Sequence, residues 1–246
     1  MKYLFLAAFD VIFFAVSAQG VLIHSHNDYR QAMPLTQAIK QRVLCVEADV
    51  YLVGDKLMVA HDTADLATAP TLDDLYLQPI IELFRGNNKI SEDPNYNLAL
   101  MIDIKKNGPE VIKALTEKLK LYPKVFDRKV NNKGVWIIIS GDRGPQNDWT
   151  GYPHFILFDG RPNEKYDVNA LRKVALISDS YGNYSQNPDS TDTKILEMTF
   201  KAHSQERLVR LWGIPDNPVS WQHLISLNVD IINTDKVEEC RGYFGK

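Results

Sequence analysis

The residues best placed to do chemistry are Glu47 and Asp49, in the apolar run Val43 to Val50. In a strand, residues two apart point to the same side. Two carboxylates side by side in apolar surroundings repel each other and are costly to bury, so they call for a cation. Asp103 adds a third acid inside a second apolar run, Leu98 to Ile104. Three carboxylates around one point suit a hard cation with oxygen ligands, one Mg2+ or Ca2+. Taken singly, each acid is better explained by a nearby Lys or Arg at a barrel rim. Lys105 shares a side with Asp103, where it would either meet a substrate phosphate or salt-bridge to Asp103 or Glu47. His26 and His61 titrate near neutral pH and, beside such a cluster, suit an acid/base pair. His24 falls on the same strand face as His26. Trp212 is either a rim residue or a ring on which a substrate headgroup stacks.

These residues need elements to hold them in common. Short, largely apolar runs occur at Val21–His24, Val43–Val50, Leu98–Ile104, Val135–Ser140, Phe155–Phe158, Val174–Ser178, Leu208–Leu211 and Val229–Asn233. Runs apolar on both faces predict parallel strands covered on both sides. Between them lie helical stretches, opening near Pro34, at Thr71 with Asp73 and Asp74 in the first turn, and at Gly108-Pro109-Glu110. Others run near Thr193–His203 and Ser220–Leu227. Eight strands alternating with helices predict an α/β fold, a single (β/α)8 TIM barrel. The segment Lys56–His61, after a Gly54-Asp55 turn, predicts a hairpin with the second strand. An open doubly wound sheet fits less well, because no G-x-G-x-x-G follows the first strand. The candidate residues gather at strand ends, where barrels carry their chemistry: His24–Asp28, Glu47–Asp49, His61-Asp62 and Asp103–Lys105.

Bulk properties set the partners. The 246 residues suffice for one large domain, and the net charge of -3 gives no long-range attraction for nucleic acid. The N-terminus differs from the rest. Lys2 precedes an apolar stretch from Tyr3 to Val16, and Val16-Ser17-Ala18 fits a signal peptidase site. This predicts a signal peptide over 1–18, a mature domain over 19–246, export to a periplasmic or secreted location, and no stable membrane span after cleavage. The two cysteines, Cys45 and Cys240, are expected to be unpaired small hydrophobes.

Several motifs carry a family resemblance: His26-Asn27-Asp28-Tyr29, Val46-Glu47-Ala48-Asp49-Val50, Ala60-His61-Asp62, Arg210 to Asp216, and Ile231-Ile232-Asn233-Thr234-Asp235. Together they resemble the superfamily of glycerophosphodiester phosphodiesterases, phosphatidylinositol-specific phospholipases C and sphingomyelinases D. They are most similar to its branch named for altered inheritance of mitochondria 6. The resemblance implies a phosphoric diester hydrolase acting on a small-molecule or lipid-headgroup phosphodiester. It implies His26 and His61 as catalytic, Glu47, Asp49, Asp103 and Asn27 as metal-binding, and Lys105 at the phosphate. It also implies attack by a neighbouring substrate hydroxyl through a cyclic phosphate. Two positions depart from the glycerophosphodiesterase pattern: Asp103 stands for the usual Glu, and His-Asn-Asp for His-Arg-Gly. Two other readings remain: a metal-dependent hydrolase of amidohydrolase or polymerase/histidinol-phosphatase type using His24-x-His26, and a non-catalytic barrel.

Overall fold

The computed structural model describes residues 20–245. The strands are β1 (Leu22–Ser25), β2 (Cys45–Val53), β3 (Lys56–Val59), β4 (Ala99–Ile104), β5 (Trp136–Gly141), β6 (Ile156–Gly160), β7 (Val174–Ser180), β8 (Leu208–Trp212) and β9 (Ile231–Thr234). All pair in parallel with their neighbours except β3, which returns antiparallel on β2. β1 pairs with both β9 and β2, so eight parallel strands close into a barrel. The expected (β/α)8 barrel and its extra hairpin are both present.

The helices outside the barrel include α1 (Thr36–Lys40), α2 (Gln78–Asn87), α3 (Gly108–Leu119) and α4 (Pro123–Phe126). They continue with α5 (Val168–Leu171), α6 (Pro188–Ser204), α7 (Pro218–Ser226) and α8 (Val237–Phe244). Thr71 caps the helical turn Asp73–Leu77 that leads into α2: its Oγ1 accepts the Asp74 N–H at 3.1 Å and donates to the Asp74 carboxylate at 2.6 Å. α6 and α7 start earlier than their apolar spacing suggests. Asn187-Pro188 and Asn217-Pro218 place a capping amide before a proline in the first turn, and each Asn oxygen accepts a backbone N–H. α1 begins at Thr36 rather than Pro34, because Leu35 lies at φ 59°, outside the helical region, with its N–H donating to the buried Asp28 carboxylate at 2.7 Å.

The core is double. The larger cluster fills the space between strands and helices. A second, separate cluster draws on Leu22, Cys45, Ala99, Met101, Ile138, Leu157, Leu176 and Ile231, with Leu208 packed against it. Every parallel strand contributes, so this cluster fills the barrel interior, as the layered packing of such barrels requires. Moving two residues along each strand changes the inward side chain from apolar to polar. Leu22 gives way to His24 and His26, Cys45 to Glu47 and Asp49, Leu157 to Asp159, Leu208 to Arg210, and Ile231 to Asn233. The apolar layer plugs the barrel, and the polar layers open at the C-terminal end. Cys45 lies in the inner cluster and Cys240 in the outer one, and both are free thiols, as expected. No helix among the described residues is long and apolar enough to cross a membrane.

Candidate active site at the barrel mouth

Asp49 and Asp103 are paired across β2 and β4, and Glu47 sits one inward position earlier on β2. Ligand atoms of the three carboxylates lie within 4.8 Å of one another. The oxygens are unequally used. Glu47 Oε2 accepts from His24 Nε2 at 2.5 Å and from Arg210 Nη1 at 2.9 Å. Burial disfavours the Glu47 charge, but the His24 hydrogen bond and the Arg210 charge outweigh it and hold the carboxyl well below the usual range. Asp49 Oδ2 accepts from the Tyr29 hydroxyl and from Lys105 Nζ, both at 2.9 Å. Asp49 Oδ1 is buried with no protein donor. Lys105 also donates to Asp103 at 2.5 Å. Burial nevertheless raises the Asp103 pKa, and the charges of Glu47 and Asp49 add to the rise against the opposing Lys105. A buried carboxylate oxygen with no donor is costly unless a positive group faces it. The donor set is all oxygen and one of its members, Asp49, keeps a partnerless oxygen, so the residues fit a hard divalent cation.

Gly141, at the end of β5, forms a ledge under this cluster. Its φ is +67°, and a Cβ there would lie 2.5 Å from Asp103 Oδ1 and on the Ile104 carbonyl. Gly141→Ala is expected to destabilise the fold by roughly 1–3 kcal/mol, the cost of such a strained backbone. It should also weaken divalent-ion binding by displacing Asp103. Thermal melts and metal titration of the variant check this; an unchanged melting temperature would contradict it.

The two proposed catalytic histidines flank the carboxylates. His26 Nδ1 is 2.9 Å from Asp235 Oδ1, and its Nε2 is 4.0 Å from Glu47 Oε1. Burial works against the imidazolium, but the Asp235 hydrogen bond and the Glu47 charge outweigh it and raise the His26 pKa. Asp235 is itself fixed, its N–H donating to Asp216 and its carbonyl accepting from Gln31. His61 Nδ1 lies 3.4 Å from Asp49 Oδ2, at the end of the hairpin that the Ala60 N–H ties to the Asp49 carbonyl. Asn27 adopts a left-handed conformation, φ 45°, and its Oδ1 lies 3.2 Å from the Tyr29 hydroxyl, which donates to Asp49 at 2.9 Å. Asp28, with Ser25, Tyr76 and Leu35 around its carboxylate, is the buried latch of this turn.

His24 is not part of an open metal site. It is buried, with Arg210 Nη1 2.7 Å from the Nε2 that faces Glu47. Burial and then the Arg210 charge push its pKa down to about 4. A neutral ring donating Nε2–H to Glu47 leaves Nδ1 as a bare acceptor, consistent with the absence of a partner there. The Arg210 guanidinium faces the His24 Nε2 at 2.7 Å, a neighbour that disfavours a metal ion at that nitrogen. Trp212 reaches the mouth, half-buried, with the guanidinium carbons of Arg161 and Arg210 at 5.0 and 5.7 Å from its ring centre.

Sequence reasoning quoted Tyr29, Arg210 and Asp235 within family motifs but gave them no role, and it passed over Asp159. The period-two pattern offered a signal: Asp159 and Arg210 are charged residues at inward positions of apolar strands. It could not say which partner each would meet.

A family model described as an AIM6-like phosphodiesterase domain matches residues 13–143, just over half the chain. The chain belongs to this family. It is 28% identical over 263 residues to Altered inheritance of mitochondria protein 6 of Eremothecium gossypii, covering 88% of this chain and 67% of that protein. Among solved structures, it superposes on a glycerophosphodiester phosphodiesterase from Parabacteroides distasonis with a TM-score of 0.61 at 16% identity, covering 91% and 96% of the two chains. An Oleispira antarctica phosphodiesterase, solved with the product sn-glycerol-3-phosphate, gives 0.57 at 12% identity, covering 94% and 99%. At such identities the superpositions establish the barrel alone.

The AIM6-like relationship corrects the expectation of export to a periplasmic or secreted location. The relatives carry names tied to mitochondria, and the family match begins at residue 13, within the stretch read as a leader. A short apolar N-terminal run has the same hydropathy whatever its fate, so its composition was a weak guide. The predicted leader, 1–18, lies outside the described residues.

Proposed function

We propose that this AIM6-like domain hydrolyses a small-molecule or lipid-headgroup phosphodiester at the barrel mouth, with His26 and His61 as the acid/base pair. The observation that carries this reading is the partnerless oxygen of Asp49, a member of the carboxylate trio, with His26 held by Asp235 and His61 3.4 Å from Asp49. Glu47, Asp49 and Asp103, with Asn27 beside them, are the residues that would hold Mg2+ or Ca2+, which supplies Lewis-acid polarisation of a phosphoryl oxygen when bound.

The chain's own groups account for the proton movements. One histidine takes the proton from the attacking hydroxyl as its oxygen bonds to phosphorus. The other gives a proton to the departing alkoxide as its P–O bond breaks. When the hydroxyl belongs to the substrate, the first product is a cyclic phosphate and the free alcohol; water then opens the ring by the reverse proton traffic. Asp235 keeps the His26 ring oriented through Nδ1, leaving Nε2 toward the carboxylates. Lys105, which the carboxylates of Asp103 and Asp49 keep protonated against the effect of burial, offers its charge to a phosphoryl oxygen. The expected experiment is phosphorus NMR of purified protein with a divalent ion and alkyl phosphodiesters that do or do not carry an adjacent hydroxyl. Cleavage of the hydroxyl-bearing diester with transient cyclic phosphate is expected. No P–O cleavage of any diester would sink the reading.

A further inference from the structure

The inward-facing charges divide the mouth into two unlike halves. On β2 and β4, with the residue after it, stand Glu47, Asp49, Asp103 and Lys105, three anions against one cation. On β6 to β8, with the residue after β6, stand Asp159, Arg161 and Arg210, two guanidiniums against one carboxylate. Asp159 is fully buried and saturated. Its oxygens accept from Ser140, Ser178, Arg161 and Arg210. Arg210 is buried below the surface, between Asp159 and Glu47. Arg161 is the more open of the two guanidinium side chains, 20% exposed against 4% for Arg210.

The two arms of Arg161 are used differently. Nη1 is spent on Asp159 Oδ2 at 2.8 Å, Ser178 Oγ at 3.1 Å and the carbonyls of Asp159 and Gly160. Nη2 makes one long contact, 3.4 Å to Ser140 Oγ. The guanidinium lies 5.0 Å over the Trp212 ring. The indole already has two guanidiniums close to its ring, so a quaternary ammonium group approaching it meets like charge. A carboxylate or phosphate oxygen meets an under-used, geometrically fixed N–H donor backed by that ring.

We propose that Arg161, braced on Trp212, forms a subsite for a negatively charged substituent, a carboxylate or phosphomonoester, carried on one alcohol of the scissile diester. This assignment rests on the phosphodiesterase reading above, and it makes the domain discriminate against choline-type headgroups.

The test compares kcat/KM for sn-glycero-3-phospho esters of glyceric acid, glycerol and choline. It uses the wild-type protein, Arg161→Gln and Arg161→Lys with a divalent ion present. A charge-assisted hydrogen bond gives a preference of about tenfold or more for the glycerate over the choline ester. That ratio should collapse in Arg161→Gln and be partly kept in Arg161→Lys. Because it is taken within one preparation, loss of folded protein cancels. Choline ester cleaved as well as glycerate ester by the wild type, or a ratio untouched in Arg161→Gln, overturns the subsite while leaving the phosphodiesterase reading intact. If none of the three esters is cleaved, calorimetric binding of 3-phosphoglycerate against phosphocholine judges the subsite alone. Tighter binding of the former, lost in Arg161→Gln, supports it; equal binding overturns it.

Discussion

Replacing His26 or His61 by alanine is expected to slow turnover of an alkyl phosphodiester at least about 10^2-fold, the usual contribution of one general acid or base. Both side chains stand at the rim, 33% and 44% exposed, so neither change opens the core. Melting temperature and divalent-ion content should stay near those of the wild type. His24→Ala is different in kind: it removes a buried group that donates to Glu47 beside Arg210, and is expected to act through stability. The double variant of His26 and His61 should lose less than the product of the two single losses, because groups acting on one transition state are not additive. A nitrophenyl leaving group needs no protonation. It should rescue whichever variant lacks the acid and leave the other slow, which assigns the two roles. Near-normal turnover of an alkyl diester by His61→Ala would refute the pair.

The second large effect concerns the cation. Wild-type protein is expected to bind one divalent ion, and chelation should abolish turnover until Mg2+ or Ca2+ is restored. Asp49→Asn and Asp103→Asn remove a formal charge from the trio while keeping side-chain shape. Changes in residues that only support metal ligands commonly cost 10 to 100-fold in affinity, so a ligand itself should cost at least about 10^2-fold. Asp49 should be the more sensitive of the two. Its Oδ2 also holds Lys105 and Tyr29, while its Oδ1 is free of protein donors. Calorimetric titration and metal analysis of the three proteins, followed by assay at saturating ion, measure this. Equal ion content in all three would rule out a shared site. Activity that survives exhaustive chelation would separate the histidine chemistry from any cation.

Much of this was legible from the chain alone, for a physical reason. Strands of a closed parallel barrel are covered on both sides, so each reads as an apolar run, and all eight runs became strands. The spacing of two in Glu47-x-Asp49, Asp103-x-Lys105 and His24-x-His26 gave common facing, because strand side chains alternate strictly. The helix starts were less legible. Asn187-Pro188 and Asn217-Pro218 act through a cap and a fixed φ rather than through hydrophobic period. α8 is short and starts after Lys236 with no side-chain cap to mark it.

What only the tertiary structure decided is which inward faces meet. His26 finds Asp235 because β1 closes against β9, joining positions 209 residues apart. Arg210 reaches across the interior to Glu47, 163 residues away, and to Asp159, and so takes His24 out of any metal site. Arg161 lands on Trp212 because β6 and β8 flank β7. A strand's sequence sets the direction of each side chain through local sterics. The partner across the barrel depends on closure and stagger of all eight strands at once, a global property that no local spacing encodes.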